Sequence, residues 1–500
     1  MKLPESYHNR LSYIGTIISA VSLITIFFLF LVTVVFESGG SYTGLILYMA
    51  LPAVLFTGLL LIPIGMFFRF RKIKNSKEEI RSEKVIFDFN NYKHRNAALI
   101  FVFGTIVFLI LTSVGSYEAF HYTESDEFCG TLCHSVMDPE FSTHLTSAHA
   151  KVRCVDCHVG SGAGWYVKSK MSGLYQVYSV LLNKYPHPIP TPISSLRPAR
   201  ETCEQCHWPE KFYSNQIRTE KTFLADSLNT EWEIALKMKI GPSHSSQGNS
   251  EGIHWHINKN VKIEYIPSSP AREYISWVKY INLETGDTTL YENTDDLLEP
   301  EFIAETPTRT MDCMDCHNRP SHQYQTPQDF IDEAISKGEI SSSTPQIKFI
   351  TMQVFNDPFD NLDTANLYIT QNITEFYKEN YPEYYKNNEA LINQNIIGIK
   401  KAYAANVFPE MQANWDNYPE HIGHTVYNGC FRCHDDLHVS STGKKISKDC
   451  NLCHTIVKQG TGSDMEYSNI DSGLVFKHPV DVDGEEKVSL CTDCHRYLYM

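Results

Sequence analysis

Three long uncharged apolar runs near the start of the chain stand apart from everything that follows them. Residues 11–36, 43–68 and 97–116 each reach the roughly 20 residues a membrane-crossing helix needs. Pro52 and Pro63 are expected to bend the second run. Beyond residue 117 the pattern changes. Residues 117–215 are dense in Gly, Pro and His and show little periodicity. Val261–Ile266, Tyr274–Ile281 and Thr288–Tyr291 alternate as strands do, and Glu284–Asp287 reads as a hairpin turn. Residues 327–415 read as helices broken at Pro345, Pro358 and Pro382. The expected organisation is a three-helix membrane anchor over 1–116, an irregular section over 117–215, a β-containing insertion over 216–310 and a helical and irregular section over 311–500.

Charge orients the anchor. The loop from Arg69 to Arg95 carries nine Lys or Arg residues, whereas Glu37–Tyr42 carries none. By the positive-inside rule the N-terminus and the long loop face the cytoplasm, and the chain after about residue 117 lies across the membrane, in a periplasm. Residues 1–100 balance at +5 and the whole chain at −15, which leaves −20 on residues 101–500. An exported part this acidic excludes nucleic-acid binding; it suits docking to a basic protein surface, or is simply a solvated acidic surface.

The chemistry lies in the cysteines. All 14 fall into seven pairs, each followed directly by histidine. Six read C-x-x-C-H: Cys154/Cys157/His158, Cys203/Cys206/His207, Cys313/Cys316/His317, Cys430/Cys433/His434, Cys450/Cys453/His454 and Cys491/Cys494/His495. The first, Cys129/Cys133/His134, has one extra residue between its thiols. Two thiols at this spacing reach the two vinyl groups of one porphyrin, and the next residue supplies the proximal imidazole. Paired cysteines also hold zinc or act as redox dithiols, but neither use requires a histidine after every pair. The fold class expected is therefore a mostly α and irregular multihaem cytochrome c with seven covalent c-type haems, haem faces taking the place of side-chain packing.

A low-spin electron-transfer haem takes a second axial ligand, commonly His or Met. Among the 14 histidines outside the motifs, the expected distal ligands are His149, His254, His322, His424, His438 and His478, with Met137 serving the first haem. His254 and His256 flank Trp255; on a strand they would share a face, one ligating and the other hydrogen-bonding. For His121, His144, His187 and His244 the sequence leaves both readings open, ligand or ordinary surface or core histidine.

The stretch from Cys129 to His207 resembles the haem core of the NapC/NirT group of membrane-anchored, quinol-oxidising cytochromes c. The resembling residues are Cys-His-Ser-Val-Met137 with Pro139 and Glu140, Ser147-Ala-His149, Cys-Val-Asp-Cys-His158, Lys168-Ser-Lys170, and Arg197-Pro-Ala-Arg through Cys-Glu-Gln-Cys-His207-Trp208. The whole chain is similar to larger heptahaem inner-membrane members. The resemblance implies that menaquinol or a related quinol docks between the membrane surface and the first haem, with Lys170, and second Lys168, lining the pocket. Smaller relatives place an aspartate about two turns after that lysine, where this chain reads Gln176-Val-Tyr178, and they have one membrane helix rather than three. Glu118 and His121, close to the third span, are the expected proton-relaying groups beside Lys170. Electrons would then pass to a periplasmic redox protein or reductase. Two other readings share the haem count: a terminal reductase of a small nitrogen or sulfur oxyanion, and a passive electron wire without a quinol site.

Overall fold

The computed structural model describes residues 5–36, 46–75, 89–131, 134–193, 197–212, 214–242, 251–355, 358–469 and 472–496. They divide into two compact units, Met1–Met137 with Arg153–Val155, and Asp138–Val152 with Asp156–Met500.

In the first unit the three apolar runs form helices α1 (Arg10–Phe36), α2 (Leu51–Asn75) and α3 (Tyr92–Thr123). Each contains a stretch long and apolar enough to cross a bilayer, and together they form a membrane anchor. A π-helical turn, Ile46–Ala50, runs into α2 beside Pro52, and α2 continues through Pro63. A widened turn of this kind accommodates a missing backbone donor without ending the helix. Small residues join α1 to α2. Ser12, Ser19 and Ser22 are buried on α1, and the Ser12 hydroxyl donates to the Ile62 carbonyl at 2.9 Å. A Cβ added at Gly58 would stand 2.9 Å from the Ser19 backbone nitrogen, and one at Gly15 would stand 2.6 Å from the Gly58 carbonyl oxygen. Close backbone approach through small residues is how helices associate in lipid, where apolar bulk gives no advantage.

After the anchor come the short helices α4 (Asp126–Thr131), α5 (His134–Thr146) and α6 (Cys154–His158), the longer α7 (Ala163–Leu181) and then α8 (Ala199–Cys203). Strands β1 (Asn215–Phe223) and β2 (Glu231–Lys239) form a hairpin. Next are β3 (Val261–Pro267), β4 (Ile275–Asn282), β5 (Thr288–Asn293), α9 (Pro300–Glu305), β6 (Arg309–Thr310) and α10 (Cys313–Cys316). The turn between β4 and β5 falls where the sequence places it, Ile281 pairing with Thr288. Gly286 there has φ +78°, a left-handed conformation that glycine adopts without a Cβ clash.

Four helices follow: α11 (Pro327–Ser336), α12 (Ile347–Val354), α13 (Leu362–Asn380) and α14 (Pro382–Asn406). Their boundaries follow the prolines, and Thr326 and Asn361 cap α11 and α13 by accepting from Asp329 and Thr364 backbone N–H groups. Apolar residues three and four apart (Ile369, Ile373 and Tyr377; Ile392, Ile396 and Ile399) close a core with Phe330, Ile331 and Ile347. The last elements are β7 (His438–Ser440), β8 (His454–Gly460), β9 (Glu466–Tyr467) and α15 (Cys491–His495).

Strand pairing ties distant parts of the sequence together. One sheet runs β1-β2-β8-β9 and the other β6-β3-β4-β5-β7. Both sheets that begin in residues 216–310 are therefore completed by strands from residues 438–467. The β1–β2 hairpin was not anticipated, although Trp232, Ile234, Leu236 and Met238 alternate with other residues much as β2 requires.

Candidate haem-binding sites

Motifs two to seven fold as tight turns. Motifs two, four and seven lie on α6, α10 and α15; the third follows α8; the fifth and sixth use the 3-10 turns Gly429–Arg432 and Cys450–Leu452. Helical turns bring positions i and i+3 to one face, so both thiols of a C-x-x-C pair stand on the same side. The residues between the thiols help to set the turn. Asp315 accepts from the Asp312 backbone N–H at 2.7 Å, and Asp493 from that of Leu490 at 2.8 Å. The thirteen described cysteines are all free of disulfides; Cys133 and the side chain of His134 lie outside the described residues.

The thiols differ in how far protein encloses them. Cys206, Cys450 and Cys494 are exposed, whereas the other described cysteines are partly covered. Cys494 sits on the five-residue helix α15. Cys206 follows α8, and Cys450 opens a three-residue turn. Attachment to a vinyl group requires an accessible thiol, so exposure at these positions is compatible with the motif chemistry.

Neighbouring motifs adjoin in chain order. The Cys154 thiol lies against that of Cys129, and its backbone N–H donates to Asp126. Cys157 is within electrostatic reach of Cys206, Cys203 lies against Cys313, and Cys316 and Cys453 are each within reach of Cys430. Cys491 is similarly near Cys450 and its own partner Cys494. Arg432, inside the fifth motif, donates to the Asp315 carbonyl inside the fourth at 2.6 Å. Asp315 is itself buried and accepts from Tyr265 at 2.6 Å and from Arg272 at 3.0 Å.

Opposite six motif histidines stands a second imidazole. His158 faces His322 with ring centroids 6.2 Å apart, His207 faces His149 at 6.0 Å, and His317 faces His254 at 6.4 Å. His434 faces His256 at 5.9 Å, His454 faces His424 at 6.1 Å, and His495 faces His478 at 6.0 Å. Metal–imidazole bonds of about 2 Å put two rings on opposite sides of one metal at roughly this separation. Several of these rings have Nδ1 fixed by a carbonyl: His149 by Pro320, His322 by Glu140, His254 by Ile240, His256 by Ile253, His434 by Ser447 and His478 by Val480. A ring whose Nδ1–H donates in this way keeps the Nε2 lone pair for a metal. Burial lowers the pKa values of His158, His254, His256, His317, His424 and His495, and brings those of His322 and His454 to about 4. These rings are neutral at pH 7, the protonation state that binds metals. Buried Nδ1 atoms of His424, His454 and His495 have no hydrogen-bond partner. Apolar side chains such as Trp208, Leu452 and Val488 stand exposed beside the motifs. A porphyrin would cover this apolar surface.

The remaining histidines are placed differently. His438, expected as a distal ligand, is placed unlike the facing pairs. It is fully buried, Nδ1 bonded to Asp435 at 2.9 Å and Nε2 to the Ile275 carbonyl at 2.9 Å, so both nitrogens are engaged by protein. His187 bonds the Glu410 carbonyl and packs on Tyr185. His144 is buried, with Nε2 unpartnered, 6.1 Å from the His322 ring. His244 is outside the described residues. Met137 is half-buried on α5. Lys168 lies over the Trp165 ring at 4.5 Å and Lys170 over Tyr166 at 5.1 Å, both on α7. Glu118 and His121 occupy the end of α3, His121 packing on Tyr117 at 4.3 Å.

Comparison with known proteins agrees with these features. The N-terminal region of the NapC/NirT cytochrome c family matches residues 91–188. The chain is 41% identical over 494 residues to the cytochrome c-type protein ImcH of Geobacter sulfurreducens, covering 97% of this chain and 95% of that protein. No solved structure matches. With its membrane anchor, paired-cysteine motifs and full-length similarity, this chain belongs to the NapC/NirT cytochrome c family of membrane electron-transport proteins.

Proposed function

We propose that the chain oxidises a membrane quinol, menaquinol by resemblance, and passes the electrons singly through seven c-type haems to a periplasmic redox protein. The N-terminus lies in the cytoplasm and the motifs outside it, as the loop charges indicate. The observation that carries the reading is α7. Val167, Met171, Leu174, Tyr178 and Leu181 recur at helical spacing and are all exposed. From residue 157 to 200 the chain has no acidic residue, although it carries Lys168, Lys170, Lys184, Arg197 and Arg200. An apolar, aromatic and cationic face on an otherwise acidic exported domain suits the boundary between headgroups and acyl chains, where a quinol is found.

The chain's residues then have distinct tasks. Lys170, with Lys168 second, orients the quinol oxygen from α7. Glu118 and His121 accept or relay the two protons released on the outer side. Haem held at the motifs would supply one-electron transfer. His149, His254, His322, His424 and His478 would hold the irons together with the motif histidines, and Met137 would serve the first motif. The adjoining thiols support an order from the first motif to the seventh. Before the seventh, Asp481, Asp483, Glu485 and Glu486 stand with Lys487, followed by Asp493 inside the motif. That acidic rim suits a cationic redox partner, and the exposed Cys494 thiol would place the edge of the seventh porphyrin on the same surface.

The test is anaerobic stopped-flow absorbance of the oxidised protein mixed with a menaquinol analogue. Rapid reduction of several haems is expected, with Lys170→Gln slowing it by about tenfold or more while dithionite reduction is unchanged. Reduction by dithionite but not by quinol would sink the reading in favour of a wire or a terminal reductase.

A further inference from the structure

We infer that a single turn of chain, Ile253–Ile257, supplies the distal ligands of two different haems: His254 to the iron of the fourth motif and His256 to that of the fifth. The inference rests on haem attachment at these motifs and not on quinol as the donor. On a strand His254 and His256 would face one way and only one could ligate a given iron. The chain instead forms a 3-10 turn here. With about three residues per turn, successive side chains point about 120° apart. Three neighbours therefore take three directions. His254 goes to His317, the rings 6.4 Å apart and nearly parallel at 6°. Trp255 stacks on Tyr280 of β4 at 5.7 Å and packs with the sheet core. His256 goes to His434 at 5.9 Å.

The backbone fixes this turn from both ends. Gly252 has φ +79°, and a Cβ there would stand 2.6 Å from the Lys239 carbonyl oxygen, so only glycine fits. The Asn258 backbone N–H closes the turn on the Trp255 carbonyl at 3.0 Å. Carbonyls of Ile240 and Ile253 take the Nδ1 protons of the two imidazoles, which leaves each Nε2 for a metal. The two motifs are also held together, since Arg432 of the fifth donates to the Asp315 carbonyl of the fourth, and to the Arg272 carbonyl beside it. One turn thus sets the spacing of two irons at the middle of the series. His438, only four residues after His434, has the more obvious position in sequence, but its two nitrogens hold Asp435 and the β4 backbone.

The test is spectroscopic and uses the full-length holoprotein purified from membranes. His256→Ala should add one high-spin ferric haem per chain to the low-temperature electron paramagnetic resonance spectrum, relative to the unaltered protein. It should also add one carbon monoxide site in the reduced state. External imidazole should return that haem to low spin, which separates an open coordination site from misfolding. His254→Ala should do the same at a second haem, and the double variant should show two added high-spin haems. His256→Met, which keeps a ligand, should stay low-spin and move one midpoint potential upward. His438→Asn should leave every haem as it was. The inference is overturned if His256→Ala adds no high-spin haem, if imidazole fails to rescue it, or if His438→Asn produces the signal instead. None of these readouts involves quinol, so a failed quinol reading leaves the result intact.

Discussion

Helices α11–α14 and the motif-bearing turns solve the same problem by different means. The helices bury isoleucine and aromatic side chains against one another, and Ile331, Ile347, Ile369, Ile373, Ile392 and Ile399 have no exposed surface. The fifth to seventh motifs rest on turns of three to five residues, with Leu452 and Val488 exposed beside them. Protein interiors pack densely, and exposed apolar surface calls for a partner. The helical section is closed by its own side chains, whereas the motif sections are closed by the group they bind. The first should therefore stand without haem and the second should not.

The largest effect comes from withholding one haem. Changing both Cys430 and Cys433 to Ala removes the attachment at the fifth motif. Hydrogen exchange should then rise by about tenfold or more over residues 421–447 while residues 362–406 keep their protection. Equal loss of protection in both stretches would break the comparison, because it would make the helices dependent on the haem as well.

How much of this was legible in the sequence follows the same division. Prolines and 3.6-residue periodicity located α11–α14, since those helices are held by the side chains that make the pattern. Spacing located all seven motifs, since thioether attachment is a local requirement. It did not reveal which thiols stand exposed, as at Cys494, because that depends on what packs over each turn. Histidines near a motif that face a motif imidazole, such as His322 and His478, could be picked out by their nearness in sequence. The approach of His256 to His434 could not, because it depends on a 3-10 turn set by Gly252 and on the long-range approach of residues 252 and 239. For His438 the converse holds: nearness to His434 in sequence says nothing about the Ile275 carbonyl that engages it. The completion of both sheets by residues 438–467 was hidden for the same cause, since β7 and β9 are only three and two residues long.

A smaller effect sharpens the helical side. Lys348 and Asp332 form a buried ion pair inside the core, and Asp332 also accepts from the Phe223 backbone N–H at 3.1 Å. The Lys348 backbone N–H in turn donates to Asn229 at 3.1 Å, so the β1–β2 hairpin is anchored here. Lys348→Met leaves an uncompensated buried carboxylate and should destabilise this section by about 3–5 kcal/mol. Lys348→Met with Asp332→Leu should recover most of that loss. Thermal unfolding followed by far-ultraviolet circular dichroism reads the change, and haem spectra at 25 °C should not alter in either variant. A spectral change would mean that the two kinds of core are coupled.

The smallest expected effect concerns the seam between them. Glu420 follows Pro419, whose carbonyl accepts from the Asn318 side chain just after the fourth motif at 2.9 Å. Its carboxylate accepts from Gln323, but burial outweighs that contact and pushes its pKa up to about 7. A carboxyl whose folded pKa is raised above its unfolded value of 4.5 binds its proton more tightly in the native state. Its contribution to stability is therefore fully present below pH 4.5 and is lost as pH rises through 7. Glu420→Gln keeps a hydrogen-bonding group without the charge, so it should leave stability at pH 4 unchanged and raise it at pH 8. The gain should be on the order of 1–2 kcal/mol. Melting temperatures of both proteins across pH 4–8 measure it, and parallel curves would show that Glu420 titrates as an ordinary surface carboxyl. If the curves diverge with rising pH, the seam between the side-chain core and the fourth motif loosens as the carboxylate ionises.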